Sequence, residues 1–400
     1  MKTYQAQPLD LMQYINRTSR EPHISVRITL KEAINVERLI YSVDELLNRF
    51  PILKCGYEPD KNLFVEISDF SSKQVIVGDT AENVMPERYL ESLDIRKQLI
   101  RIAVSGKNLY ITVSHMVCDG NSFKSLVYIL CDIYNRKSVP ATEILMKRDF
   151  TEYFTETVTP EKKAEMLATI YSGYENPQLL CLDDSEALHI VEYQLEKDTM
   201  TSIHNRAKKE GATLNDVFLA TYAKVIHQIS GAVNLEIPVT SDLRKHTQGA
   251  EGICNLTGNY NLYLKVQEEP FSQTLHSVSV KMQKLKAGQN DIIGPGLLVE
   301  RYKNAELSYF IAKYEKMGTA PYVSFTNLGI LDDERLSFGD NEVTDANIYS
   351  VVQKTPYFQM AVSSFRGSTT VSCLVRGGDG TAESVRTMIK ALVEHLETFV

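Results

Sequence analysis

Residues 109–123 read LYITVSHMVCDGNSF. Leu109, Ile111 and Val113 alternate, which places them on one face of a strand. His115 continues that face, so alternation turns it inward with the apolar side chains. After Gly120 the period changes. Phe123, Leu126, Val127, Leu130 and Ile133 recur at helical spacing to about Asn135. The stretch is therefore a strand, a tight turn and a helix, with Asp119 or Asn121 as the helix cap. A histidine at the tip of a buried strand has two readings. It is a packed core histidine, or it is a base at the mouth of a cleft. A neutral imidazole in a partly dry cleft takes a proton from a hydroxyl, amine or thiol near working pH.

Working outward, IRIAVS and LYITVSH flank Gly106-Lys107-Asn108, a hairpin signature. HISVRITLK (23–31) reads as a strand. The helix after it carries Val36, Leu39, Ile40, Val43, Leu47 and Phe50 on one face and stops at Pro51. LFVEI (63–67) and QVIV (74–77) read as short strands. Residues 136–188 open without a sustained apolar period and read as a crossover. Beyond them come a strand at 189–196 and a helix at 213–229 opened by Thr213 with Asp216 at capping-box spacing. Strands follow at 234–245, 260–266, 321–331, 357–367 and 369–377, with helices at 271–288 and 381–399. This predicts an α/β chain with mixed sheets in two halves: 1–155, a linker at 156–188, and 189–400.

The totals exclude several classes. The net charge of −8 makes the chain a poor match for coating nucleic acid or an anionic membrane. No run of about 18 apolar residues predicts a membrane span, and no apolar segment at the N-terminus predicts a signal peptide. Cys55, Cys118, Cys131, Cys181, Cys254 and Cys373 form no C-x-x-C pair and read as reduced thiols in a cytoplasmic protein. No H-E-x-x-H or C-x-x-C partners His115, so no metal site is expected. G-x-S-x-G, G-x-G-x-x-G and the P-loop pattern are absent. Cys118 lies close enough in sequence to His115 for a Cys–His pair, but a small apolar filler is the plainer reading.

HMVCDG (115–120) matches H-x-x-x-D-G, and the chain resembles the superfamily that carries it. That superfamily holds chloramphenicol acetyltransferase, alcohol acyltransferases, polyketide-associated acyltransferases and condensation domains of peptide synthetases. RFPILKCGYE (49–58), GATLNDVFLATYAKVI (211–226), IPVTSDLRK (237–245) and VSFTNLG (323–329) are similar to further family landmarks, in family order. The resemblance implies two chloramphenicol-acetyltransferase-like domains forming a pseudo-dimer, with a channel between them.

In that reading His115 is the general base for acyl transfer from a thioester to an alcohol or amine. Donors near it hold the tetrahedral oxyanion, each worth about 3 kcal/mol. Asp119 orients the motif with Arg244 as its partner, Gly120 permits the turn, and Asn327 and Ser114 lie by the channel. Ser114 stands where condensation domains usually carry a first histidine, which favours transfer to a small acceptor over peptide-bond formation. The implied co-substrate is acyl-CoA or the phosphopantetheine of an acyl carrier protein, with no tightly bound cofactor. The implied partners are that thioester and a small-molecule acceptor, on a monomeric protein. Three alternatives stay open: a catalytically silent scaffold or binding protein, an amide-forming condensation enzyme, and a thioester hydrolase.

Overall fold

The structure is a computed structural model. It describes residues 1–79, 86–139, 145–155, 158–162, 164, 173–247, 251–317 and 321–400. Of the expected linker at 156–188, residues 156–157, 163 and 165–172 lie outside the described residues.

Two mixed sheets organise the chain. The first has five strands, in the order Val343–Tyr349, His23–Leu30, Asn108–Ser114, Ile100–Ser105, Ile76–Asp79. Its centre is antiparallel, with His23 opposite Ser114 and the 106–108 hairpin joining Ile100–Ser105 to Asn108–Ser114. Helices Val36–Arg49 and Gly120–Tyr134 cover it and share its core, through side chains such as Leu39, Val43, Phe123 and Val127.

The second sheet has eight strands. Thr257–Lys265, Asn234–Asp242, Val323–Leu331, Phe358–Phe365 and Ser368–Arg376 run side by side. Val352–Lys354 and then Arg20–Glu21 extend one edge, and Leu188–Leu195 pairs with Ser368–Arg376. Helices Leu214–Ser230, Phe271–Ala287 and Asp379–Thr398 pack on it around a separate core.

The sheets exchange strands. Val343–Tyr349, late in the chain, completes the first sheet against His23–Leu30. Arg20–Glu21, early in the chain, pairs with Val352–Lys354 in the second. Each exchange covers a sheet edge that would otherwise offer unpaired backbone groups.

Some expectations needed revision. QVIV begins as a helical turn, Ser72–Val75, because Ser71 and Gln74 form a capping box, and the strand starts only at Ile76. Helix Lys197–Lys209 was not foreseen. Its interior face is only Met200, Ile203 and Ala207, too thin a stripe to register as periodic. Helices Ile293–Lys303 and Leu307–Met317, which enclose an apolar cluster with Pro8–Ile15, were also not foreseen.

Candidate active site

The motif strand ends at Ser114, and His115 begins the turn. The backbone N–H of His115 donates to Pro22 O at 2.7 Å, which ties the strand end to the chain leading into His23–Leu30. Asp119 caps the motif helix, its Oδ1 accepting from Ser122 N at 2.9 Å. Asp119 Oδ2 accepts from Leu256 N at 2.7 Å and from Arg244 Nη1 at 2.8 Å. The carboxylate is thus fully engaged and buried. These bonds tie it to the motif helix, to Leu256 and to Arg244, and none of them goes to His115.

Arg244 also donates to Ser122 Oγ at 2.5 Å, and Cys254 N donates to the same hydroxyl at 3.1 Å. Asp119, Ser122 and Arg244 therefore clamp the segment 252–256 against the helix N-terminus. That segment delivers Asn255.

Asn255 fixes the imidazole. Its Nδ2 donates to His115 O and to Asp10 Oδ1, both at 2.8 Å. Both partners are acceptors only, so this end of the amide is the NH₂ end. Oδ1 then faces His115 Nδ1 at 3.1 Å as an acceptor. The ring therefore carries its proton on Nδ1 and leaves Nε2 with a free lone pair. Asp10 is held in turn by Arg148 Nη2 at 2.8 Å, and Arg148 Nη1 also donates to Ile253 O at 2.7 Å. Burial first, and then the charge of Arg20, hold the His115 pKa below the ordinary imidazole range. The ring is neutral at neutral pH, which is the state a base requires.

His115 lines a cavity of ≈ 510 Å³ to which both sheets contribute. Gly120 and Asn327 line it too. Asn327 sits at a bulge in Val323–Leu331, donating to Asn215 Oδ1 at 3.2 Å and accepting from Gly329 N at 2.9 Å. Gly120 is the first residue of the motif helix, and its backbone is not left-handed. Its smallness instead makes room for the bulge, because a Cβ there would stand 3.1 Å from Leu328 Cδ2.

Ser114 is not at the channel. It is fully buried, its hydroxyl turned to Pro22 O at 3.4 Å, because strand alternation points it away from His115. Cys118 is fully buried as well, and burial pushes its thiol well above the ordinary range, so it offers no nucleophile. Among the described residues no group of histidine, cysteine and carboxylate side chains is placed to hold a metal ion.

No sequence pattern marks Asn255, Asp10 or Arg148 as part of the site. The signals were faint: an aspartate between apolar residues in PLDLM, and an asparagine inside ICNLTG. Asp10 is also the capping-box residue of its own helix, accepting from Gln7 N at 2.9 Å, which is a sufficient local reason for an acid there.

Comparison with known proteins places this geometry. The condensation-domain family profile matches residues 5–307. One of the plipastatin synthase proteins of Bacillus subtilis (strain 168) is 24% identical over 276 residues, covering 63% of this chain and 11% of that protein. Gramicidin S synthase 2 of Brevibacillus brevis is 22% identical over 283 residues, covering 64% of this chain and 6% of that protein. The chain thus spans only a small part of the curated relatives it matches.

Among solved structures, the condensation domain of the monacolin K polyketide synthase MokA superposes with a TM-score of 0.73 at 15% identity, over 100% of this chain and 97% of that one. The trichothecene 15-O-acetyltransferase TRI3 of Fusarium sporotrichioides gives 0.73 at 13% identity, over 99% and 95%. The fold is the two-lobed, mixed-sheet architecture these proteins share. With three quarters of its length matching the family profile, the chain belongs to the condensation-domain family.

Proposed function

We propose that this chain transfers an acyl group from a thioester, on coenzyme A or on a carrier protein, to a hydroxyl or amine. The observation that carries the reading is the state of His115. It lines the cavity, Asn255 fixes its proton on Nδ1, and Nε2 is left as the base.

The acceptor gives its proton to His115 Nε2 as its oxygen or nitrogen attacks the thioester carbonyl. The C–S bond then breaks, and the leaving thiolate takes the proton back from the imidazole. Asp119 and Arg244 keep the loop in place throughout. The likeness to an acetyltransferase and to condensation domains supports a transferase and leaves O- and N-transfer both available.

The amide-forming reading is favoured by the match of the condensation-domain family profile to three quarters of the chain. Ser114 does not weigh against it, since that position faces away from the cavity.

The experiment is mass spectrometry of the purified protein incubated with a panel of acyl thioesters and an extract of small metabolites. Acylated products should form with the wild-type protein and not with a folded His115→Ala variant. Products made equally by both would sink the reading.

A further inference from the structure

Arg20 stands in the cavity wall, and among the described residues no carboxylate pairs with it. Strand Arg20–Glu21 is extended, so its two side chains diverge. Glu21 pairs with Arg376, Nε to Oε1 at 2.8 Å. Arg20 lines the same cavity as His115. The two are close along the backbone as well, for His115 N donates to Pro22 O, two residues past Arg20.

The bonds of Arg20 are few. Nη2 donates to Gln13 Oε1 at 3.2 Å, and Nε is buried with no partner among the described residues. Three other arginines with largely buried side chains each meet a carboxylate: Arg244 meets Asp119, Arg148 meets Asp10, and Arg376 meets Glu21 and Glu91. Arg301, also in the cavity wall, bonds the Tyr314 hydroxyl instead. The carboxylates that line the cavity are already engaged. Asp119 is held by Arg244 and Leu256 N, and Asp242 by Arg244 and Asn121. Removing a guanidinium from water is costly unless an anion meets it. Its planar fork suits a carboxylate, which it grips through two parallel bonds.

We propose that Arg20 is the carboxylate subsite for the acceptor, so that the molecule deprotonated by His115 carries a free carboxylate beside its hydroxyl or amine. The proposal rests on the acyl-transfer reading and narrows it. The phosphates of coenzyme A do not supply the anion, because the pantetheine arm holds them far from the thioester that reacts at His115. An acceptor tethered to a carrier protein has its carboxyl carbon tied up as a thioester and lacks the group Arg20 would hold. The carboxylate takes no part in bond making. The acceptor O–H or N–H proton goes to His115, the new C–O or C–N bond forms as C–S breaks, and the thiol leaves with the proton. The bound anion also offsets the Arg20 charge that opposes protonation of His115, so the base strengthens when the acceptor is seated.

The test is isothermal titration calorimetry with short hydroxy acids, aromatic hydroxy acids and amino acids, each paired with its methyl ester. The proteins are wild type, Arg20→Met, Arg20→Lys and His115→Ala, each checked by thermal melting. At least one acid should bind wild type about 10- to 100-fold more tightly than its ester. Arg20→Met should abolish that preference, Arg20→Lys should restore part of it, and His115→Ala should keep it. Equal binding of acid and ester, no binding of any acid, or a preference that survives Arg20→Met in a folded protein would overturn the inference. The two readings fail separately. Arg20-dependent acid binding without any acyl transfer would remove the proposed reaction and leave the subsite. Transfer to uncharged alcohols that Arg20→Met leaves unchanged would do the reverse.

Discussion

In the proposed acyl transfer, His115 depends on Asn255 as much as on its own position. The amide is locked by two acceptors, His115 O and Asp10, and so dictates which ring nitrogen carries the proton. Replacing Asn255 with alanine frees the ring to take the other tautomer and leaves Asp10 short of a donor. A loss of about 1–2 kcal/mol of transition-state stabilisation is expected, about 10-fold or somewhat more in kcat with KM little changed. Steady-state kinetics on the folded variant check this. The pH profile follows from the direction of the His115 shift. The base acts when neutral, and burial and Arg20 lower its pKa. The proposed activity should therefore be full at neutral pH, with the acid limb of kcat/KM below about pH 6.5, the ordinary imidazole value; a pH–rate profile checks this. Arg20→Met removes one of the lowering influences, so that limb should move to higher pH. The inward turn of His115 at a strand end was legible from alternation, and the pairing of Asp119 with Arg244 from the resemblance. Asn255, Asp10 and Arg148 were not, because they lie 140, 105 and 33 residues from His115 and meet only when the chain is folded.

The N-terminus of the motif helix is where the lobes are fastened. Asp119 caps the helix and at the same time bonds Leu256 and Arg244, and Leu328 of the bulged strand presses on Gly120. The Arg244–Asp119 pair is largely buried, with side chains 12% and 4% exposed. Arg244→Ala strands the Asp119 carboxylate, and a loss of about 3–5 kcal/mol is expected in urea denaturation. The double variant Asp119→Asn with Arg244→Met should lose less than the sum of the two single changes, since no buried charge is left unpaired. Helices with broad apolar stripes were readable directly: Val36–Arg49 from its stripe alone, its Asn35 cap emerging only in the structure, and Leu214–Ser230 with Thr213 and Asp216. Val343–Tyr349 was not. Its sequence, VTDANIY, is half polar, and it becomes a strand because the free edge of His23–Leu30 needs a partner.

The exchange of strands makes the whole molecule one folding problem. A fragment of residues 1–188 would lack Val343–Tyr349 and leave His23–Leu30 as an open, apolar edge. It should show no cooperative thermal transition, whereas the full chain should; circular dichroism melts of both check this. The same interlocking explains why the cavity was expected only as a consequence of family resemblance. Its walls come from residues as far apart as Gln13 and Gln359, and no local pattern encodes them. What the assembled cavity does is tested most directly by a single-turnover assay of acyl transfer and thiol release, with an acceptor identified by mass spectrometry. Wild type is compared with a His115→Ala variant that melts like it. The expected result is a fall of about 100- to 10,000-fold in the transfer rate, with donor binding retained. Transfer by His115→Ala at the wild-type rate would contradict the assignment of His115 as the base.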